Sequence, residues 1–570
     1  MGRETMVALH GGGIRFVATE SIEEIRDRGD REDGGTLAFT AEGDSDATIT
    51  LTFDGGASED RKAYLPTKAE PNENAKALVD RAFDLIRESG AGATPVPRPY
   101  SKIFSAMQKK KKSKEEKEEY ANSMIALGEA MSKLPQTQLF SGTPAAYTYF
   151  GQFLAHDMTH MGFDGNLSNP ENYRSHALDL DSIFGKLPKD IEPHDDLRCI
   201  GEVCLGRTSA MRYEDLPRGT ATEPDIPFGQ GQPYLPDQRN DNNLAVAQMT
   251  VAIIKFYHIV HKVLRVSDVE EAKRITTEHF QSIILHDYLR RIIDPDVYDD
   301  VINNGRKIIV LGKHGFAKFF QIPIEFAGAC FRFGHSLLRS EYHWNDKVKP
   351  GTSTPYNFRR FTALGGELDR GRLPDDWVVD WERLFVGSLE APERHLGTRI
   401  DPVLARDMMR LDRQWIENEP PKLPGIFVNL ATLTLLRGAH LDLPTGQELQ
   451  ELIERKARAA KGRTLAIENA AQHDPVLSEL DPKHKDSITR DTPLWYFILK
   501  EAEVLGCGRT LGPVGSRVVM ETAHAALEAW PGSKLDGGFA PHERLTTSET
   551  GVFKLNDLFA NVKRLQDQLN

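Results

Sequence analysis

Gly151-Gln152-Phe153-Leu154-Ala155-His156-Asp157 decides how this chain is read, because it packs an amide, an imidazole and a carboxylate into one short run. Gln152 and His156 are four residues apart, so on a helix they share a face. Asp157 is turned by about 100° from His156 and has a different job. Far downstream, Phe331-Arg332-Phe333-Gly334-His335 puts a second histidine on another helical pattern.

The bulk properties narrow the classes. A chain of 570 residues can bury a large core, and length alone predicts two or more domains. A formal charge of −13 and a pI near 5.8 argue against a nucleic-acid binder, which shows a basic footprint. The basic run Lys109–Lys112 with Lys114 is followed at once by Glu115, Glu116, Glu118 and Glu119, and reads as a solvated face. Of the four cysteines, Cys330 lies in an apolar pattern and reads as core, whereas Cys199 and Cys204 are close enough to pair. The N-terminus lacks a basic segment followed by an apolar one, and no uninterrupted run of about 20 apolar residues is visible. The expectation is a soluble, cytoplasmic protein without an integral membrane segment.

Along the chain, residues 36–53 read as a β-hairpin. Leu37, Phe39 and Ala41 alternate with polar residues, Glu42 to Asp46 turn, and Ile49, Leu51 and Phe53 alternate with threonines. Helical patterning starts near Asn74, with Ala77, Leu78, Ala82 and Leu85, and a Pro/Gly-rich linker covers 90–99. The expected layout is an N-terminal extension over 1–95, a mainly helical catalytic domain over 96–535 and a C-terminal tail over 536–570. The long Pro/Gly-rich connection from Gly206 to Asp237 delivers Arg239 to the start of an apolar helix, Leu244 to Leu264, and residues 419–426 form another break.

Two distant histidines, one accompanied by an amide and an adjacent carboxylate, point to a haem held between helices. The chain resembles the animal-type haem peroxidases, the superfamily that also contains the cyclooxygenases. The likeness runs from about Pro95 to about Pro531. It rests on ordered blocks: Tyr149 to Asp157, Ala177 to Ser182, Asp237-Gln238-Arg239, Phe331 to His335, and Arg437 with Leu443-Pro444. The resemblance implies a mainly α fold with haem between a distal and a proximal helix.

Heterolysis of a hydroperoxide needs a base to move a proton between its oxygens and positive charge where the O–O bond breaks. His156 suits the first task and Arg239, permanently charged, suits the second. Gln152 would orient the peroxide or a water. The 83-residue separation of His156 and Arg239 is compatible with two helices or a helix and a loop. The resemblance assigns these three as distal histidine, catalytic arginine and distal glutamine. A rival chemistry starts at the same place, since His156 and His160 at i and i+4 share the spacing of a zinc-binding helix. Asp157 is a poor substitute for the glutamate base there, and no third ligand is evident. His258 and His261 form another close pair, in an apolar setting that reads as packing and surface.

Ser175-His176-Ala177-Leu178-Asp179-Leu180-Asp181 alternates oxygen donors, which in extended chain fall on one side. The resemblance implies a calcium ion held by Asp157, Ser175, the backbone carbonyl of Ala177, Asp179 and Asp181, pinning this loop to the distal helix. It also makes His335 the haem-iron ligand and places Arg332 and Arg437 near the haem. Gly328, Phe331 and Leu338 would lie against the macrocycle. An iron-bound histidine donates its second N–H to an acceptor; the family uses an asparagine, and aligning Arg437 puts Thr434 there.

Two departures carry information. Carboxylates that esterify the haem in mammalian members are replaced by Ala155 and Asn242, and Asn243 stands where a methionine makes a sulfonium link. The expectation is non-covalent haem b. The radical-forming tyrosine of the lipid dioxygenases, three residues before the proximal histidine, is Arg332 here, and Tyr342 lies beyond the histidine. The resulting expectation is a haem peroxidase that reduces hydrogen peroxide or organic hydroperoxides and oxidises a small phenol-like or halide donor. A fatty-acid dioxygenase and a haem-binding protein without turnover are the alternatives.

Overall fold

The computed structural model describes residues 4–9, 12–18, 35–41, 44–53, 98–104, 113–136, 140–162, 170–187, 197–219, 230–314, 317–363, 365–385, 395–405, 408, 429–457, 463–535 and 537–569. The helix expected from Asn74, most of the 90–99 linker, the Lys109–Lys112 run and the 419–426 break lie outside them. The architecture is mainly α with short strands, as the resemblance implies. Near the N-terminus β1 (Glu4–Leu9), β2 (Gly12–Ala18), β3 (Gly35–Ala41) and β4 (Asp44–Phe53) form an antiparallel meander. Its β3–β4 pair sets Leu37 opposite Leu51 and Phe39 opposite Ile49, the alternating residues of the expected hairpin. The partner strands β1 and β2 are additional to that reading.

Helix α1 (Lys114–Lys133) begins with a capping box: Glu116 N donates to Ser113 Oγ at 3.2 Å, and Ser113 N donates to Glu116 Oε2 at 2.7 Å. Its buried stripe, Met124, Leu127 and Met131, joins the main core. Helix α2 (Ala146–Met158) carries the quoted stretch and is almost entirely buried, with Phe150, Phe153 and Leu154 in the core. Tyr147 Oη donates to Asp287 Oδ2 at 2.6 Å and ties its first turn to the next layer.

The strands β5 (Arg198–Ile200) and β6 (Val203–Arg207) form a hairpin with Cys199 opposite Cys204, and these two are disulfide-bonded. The short strand β7 (Glu214–Asp215) pairs with β6.

The central helix α3 (Leu244–His258) continues through a wider turn, Ile259–Val263. By length and mean hydropathy residues 244–263 could cross a membrane, although Gln248, Lys255 and His258 interrupt the apolar run. Since 89 % of that window is buried inside the fold, its apolar surround is protein. His258 packs there with Nε2 3.0 Å from the Val203 carbonyl, a structural role as expected.

Helix α4 (Leu430–His440) crosses α1 at close range. A Cβ on Gly128 would fall 2.6 Å from Thr432 Cα, so only glycine permits the crossing. Asn429 caps α4 and its Nδ2 donates to the Gly128 carbonyl, which locks the pair. Helix α5 (Leu494–Leu505) packs behind the proximal segment, and α6 (Leu555–Leu565) packs on α3, so the stretch expected as a tail contributes to the core.

Candidate active site

The two histidine segments meet at one cavity that opens to solvent. Gln152, His156 and Arg239 line it together with Arg332 and His335. The four-residue spacing does what it predicts: Gln152 and His156 both reach the cavity from α2. Asp157 points elsewhere, accepting from Leu180 N at 3.2 Å and from Ser182 Oγ at 2.8 Å.

The distal wall is built by a 3-10 turn, Gln238–Asp241, clamped at both ends. At its start Asp237, fully buried, accepts from Arg239 N at 3.0 Å, Nε at 2.9 Å and Nη2 at 2.6 Å. Arg174 Nε lies 3.6 Å from the same carboxylate. Burial pushes the Asp237 carboxyl up, but Arg239 and Arg174 outweigh it and hold it well below the usual range. At the turn's end Asp241 takes a bidentate pair from Arg218, at 2.7 and 2.8 Å, and accepts from Ala363 N. Between the clamps Arg239 Nη2 donates to the His156 carbonyl at 3.1 Å, and Asn240 Oδ1 lies 2.9 Å from His156 Nδ1. Just beyond, Asn243 Nδ2 donates to Gln152 Oε1 at 2.9 Å while its Oδ1 caps α3.

Burial, then Arg239, lowers the His156 pKa from 6.5 to about 4. The imidazole is therefore neutral near pH 7 and able to accept a proton. His160 is not on the helix: Thr159 leaves it at φ −137°, and His160 Nδ1 lies 3.9 Å from Asp237. The zinc-helix geometry of the rival chemistry is absent for this physical reason.

The proximal segment is a 3-10 helix, Cys330–Leu337, rather than a continuation of the α-helical pattern. The preceding α-turn ends at Gly328, which packs against Leu441 and Leu443 and not on the cavity, and Ala329 turns the chain at φ −140°. In 3-10 winding residues three apart eclipse, so Arg332 and His335 share a face and both line the cavity with Phe331 and Leu338. Burial, followed by Arg332 and Arg437, keeps the His335 pKa well below 6.5, so it presents a neutral imidazole. Trp495 packs against its ring with centroids 6.1 Å apart and donates Nε1–H to the Arg332 carbonyl at 3.2 Å. The Thr434 hydroxyl donates to the Leu430 carbonyl at 2.8 Å, the i−4 bond common for threonine inside a helix, and Thr434 is not among the residues lining the cavity.

These residues fit a haem. A neutral buried imidazole reaches the cavity from each segment, and a Cβ built on Gly334 meets nothing within 4 Å, so the space beside His335 is open. The Arg332 guanidinium, pressed down in pKa by burial and Arg437, gains from an anionic group there.

The 175–181 segment is a tight loop and not extended chain, since Leu180 sits at φ +60°. Ser175 Oγ donates to Asp179 Oδ1 at 2.7 Å and to the Ala177 carbonyl at 3.0 Å, and Ser175 N donates to Asp181 Oδ2. Burial and mutual repulsion raise Asp157 well above its usual pKa, and Asp181 to about 7. Among the described residues no set of three or more metal-type side chains is assembled as a metal site. The five expected calcium ligands are neighbours, with their oxygens turned to each other and to backbone N–H groups.

Asp237, Asn240 and Asn243 are absent from the expected site, though all bond to residues within it. Residues 169–444 match the family model of animal haem peroxidase. That region, just under half of the chain, is similar to an animal haem peroxidase domain. The match includes the 175–181 loop, Arg239, His335 and Arg437, and begins after α2, so Gln152 and His156 lie upstream of it. The family is one of haem-binding oxidoreductases. Among solved structures the chain is similar to peroxidase A from Dictyostelium discoideum, at 12% identity and a TM-score of 0.45, covering 72% of this chain and 83% of that one. It is also similar to the fatty acid alpha-dioxygenase of Arabidopsis thaliana, at 13% identity and 0.47, covering 78% and 75%. The Oryza sativa fatty acid alpha-dioxygenase follows at 11% identity and 0.45, covering 72% and 73%. No curated protein matches the chain in sequence.

Proposed function

We propose that this protein is a haem-b peroxidase that reduces hydrogen peroxide or an organic hydroperoxide and oxidises a small phenol-like or halide donor. The observation that carries the reading is the convergence of His156, Arg239, Gln152 and His335 on a single cavity. Haem, when bound, supplies the iron and the redox capacity for peroxide cleavage. His335 would hold the iron, and Arg332 with Arg437 would face the haem's acidic groups. His156 would take the proton from one peroxide oxygen and return it to the departing one. Arg239, fixed by Asp237, offers positive charge as the O–O bond lengthens. Gln152, held by Asn243, orients the peroxide.

Calcium belongs to the same reading: Asp157, Ser175, Ala177, Asp179 and Asp181 would turn their oxygens to one cation, which relieves their mutual repulsion. Haem attachment is non-covalent, since Ala155 lines the cavity without a carboxylate and Asn243 is engaged with Gln152.

The deciding experiment is an absorption spectrum of haem-supplied protein before and after one equivalent of hydrogen peroxide, then with guaiacol. A Soret band that shifts with peroxide and returns with guaiacol supports the peroxidase. An unresponsive Soret band leaves a haem carrier. Tyr100 and Tyr288 also line the cavity, which keeps a lipid dioxygenase as the second reading. Oxygen uptake with linoleate would establish it in place of the peroxidase.

A further inference from the structure

The His156 imidazole has two ring nitrogens, and a proton carrier works only if the one facing the cavity has the lone pair. Asn240 bears on that choice directly. Its Oδ1 lies 2.9 Å from His156 Nδ1, and the residue is wholly buried. A ring nitrogen against an amide oxygen bonds only when it carries the proton. With the amide oxygen so placed, the proton would sit on Nδ1 and Nε2 would keep its lone pair.

We propose that Asn240 is the positioning residue that fixes the tautomer and orientation of His156, an inference that rests on the reading of His156 as the proton carrier. Its place in the fold supports this. Asn240 lies between Arg239 and Asp241 on the clamped turn, so its backbone is held from one side by Asp237 and from the other by Arg218. A free asparagine side chain would sample several rotamers, which holding the contact with His156 gives up. Here the clamps fix the backbone from which the amide projects. The same turn holds the other end of the contact, because Arg239 Nη2 donates to the His156 carbonyl at 3.1 Å. One turn thus grips both backbone and ring of His156.

The test is ¹⁵N NMR of the full chain labelled at histidine, without haem and with it, comparing the native protein with Asn240→Leu and Asn240→Asp. His156→Gln identifies the His156 signals. The native protein should show His156 protonated on Nδ1. Asn240→Leu, close in size but without an acceptor, should populate the Nε2–H tautomer and slow the peroxide reaction at least about 10-fold, the scale of a lost histidine-orienting partner. Asn240→Asp keeps an acceptor and should retain the tautomer and most of the rate. An Nε2–H tautomer in the native protein would overturn the proposal, as would a tautomer unmoved in Asn240→Leu. Should Asn240→Leu not fold, loss of the tautomer preference in Asn240→Ala supports the proposal and its persistence overturns it. If the tautomers behave as expected while His156→Gln reacts with peroxide at the native rate, the positioning role stands and the proton-carrier reading falls.

Discussion

The distal and proximal walls of the cavity are held by different forces. On the distal side the order comes from buried charge: Asp237 binds Arg239 and Arg174, and Asp241 binds Arg218. On the proximal side it comes from packing and backbone carbonyls. Phe326 stacks on Phe331 with centroids 4.6 Å apart, and Trp495 covers His335. Arg332 Nε donates to the Ala327 carbonyl, and Ser336 Oγ to those of Arg399 and Asp401. A charged clamp fixes direction, which proton transfer needs. An apolar wall fixes shape, which suits a flat cofactor. Damage to the two sides should therefore be seen in different measurements.

The largest effect is expected on the proximal side. His335→Ala should lose the Soret band of haem-supplied protein altogether, because nothing else proposed here binds iron. Acid-acetone should strip all colour from the native protein, as non-covalent haem requires. A native-strength band in His335→Ala would show that the iron ligand is another residue.

Next comes His156→Ala, which should keep its Soret band and slow the peroxide reaction by about 10²–10⁴-fold. Stopped-flow spectra at the haem band would measure it. An unchanged rate removes His156 as the proton carrier, and a lost band would erase the contrast between the walls.

Asp237→Ala follows, and it tests the clamp itself. Two arginines would be left buried beside an apolar gap, and breaking a buried pair costs about 3–5 kcal/mol. Thermal or urea unfolding should show that loss, with slower peroxide reaction in whatever remains folded. A loss under about 1 kcal/mol would mean that water or another group already shares the load.

Parts of this division were legible in the sequence and parts were not. The i, i+4 pair on α2 and the offset of Asp157 follow from helical geometry, and the structure keeps both. The clamps do not follow, because Arg174 and Arg218 reach the turn from distant loops, and a lone arginine gives no sign of its partner. Asn240 was hidden for a related reason: its neighbour Arg239 drew the chemistry, while an asparagine after an arginine reads as turn composition. The proximal residues carry a helical apolar pattern, yet Gly328 packing on Leu441 and Leu443 precedes a tighter winding that periodicity does not register. The disulfide was open in the sequence because spacing permits a bond without requiring it; β-register brings Cys199 and Cys204 together.

The loop beside the distal wall gives a smaller test. Arg174 lies 3.6 Å from both Asp181 and Asp237, so the 175–181 loop and the distal clamp share one side chain. Calcium at 100 times its dissociation constant should raise stability by about 2.7 kcal/mol if it binds only the folded chain. Its removal by chelation should lower the melting temperature and slow the peroxide reaction, with the Soret band kept. A melting temperature indifferent to both calcium and chelator would remove the ion from the reading.

The smallest effect should belong to Thr434, and its smallness is informative. If its hydroxyl served His335, Thr434→Val would change the iron's electronic environment and move the reduction potential. The hydroxyl donates within α4 to the Leu430 carbonyl, and Thr434 does not line the cavity. That carbonyl lies at the start of the helix, and valine preserves the shape of the buried side chain. The expected cost is then that of one ordinary hydrogen bond, about 1 kcal/mol, with the haem spectrum and potential unchanged. A clear potential shift in Thr434→Val would place the hydroxyl back in the iron's surroundings, and the proximal wall would then depend on a polar side-chain contact as the distal wall does.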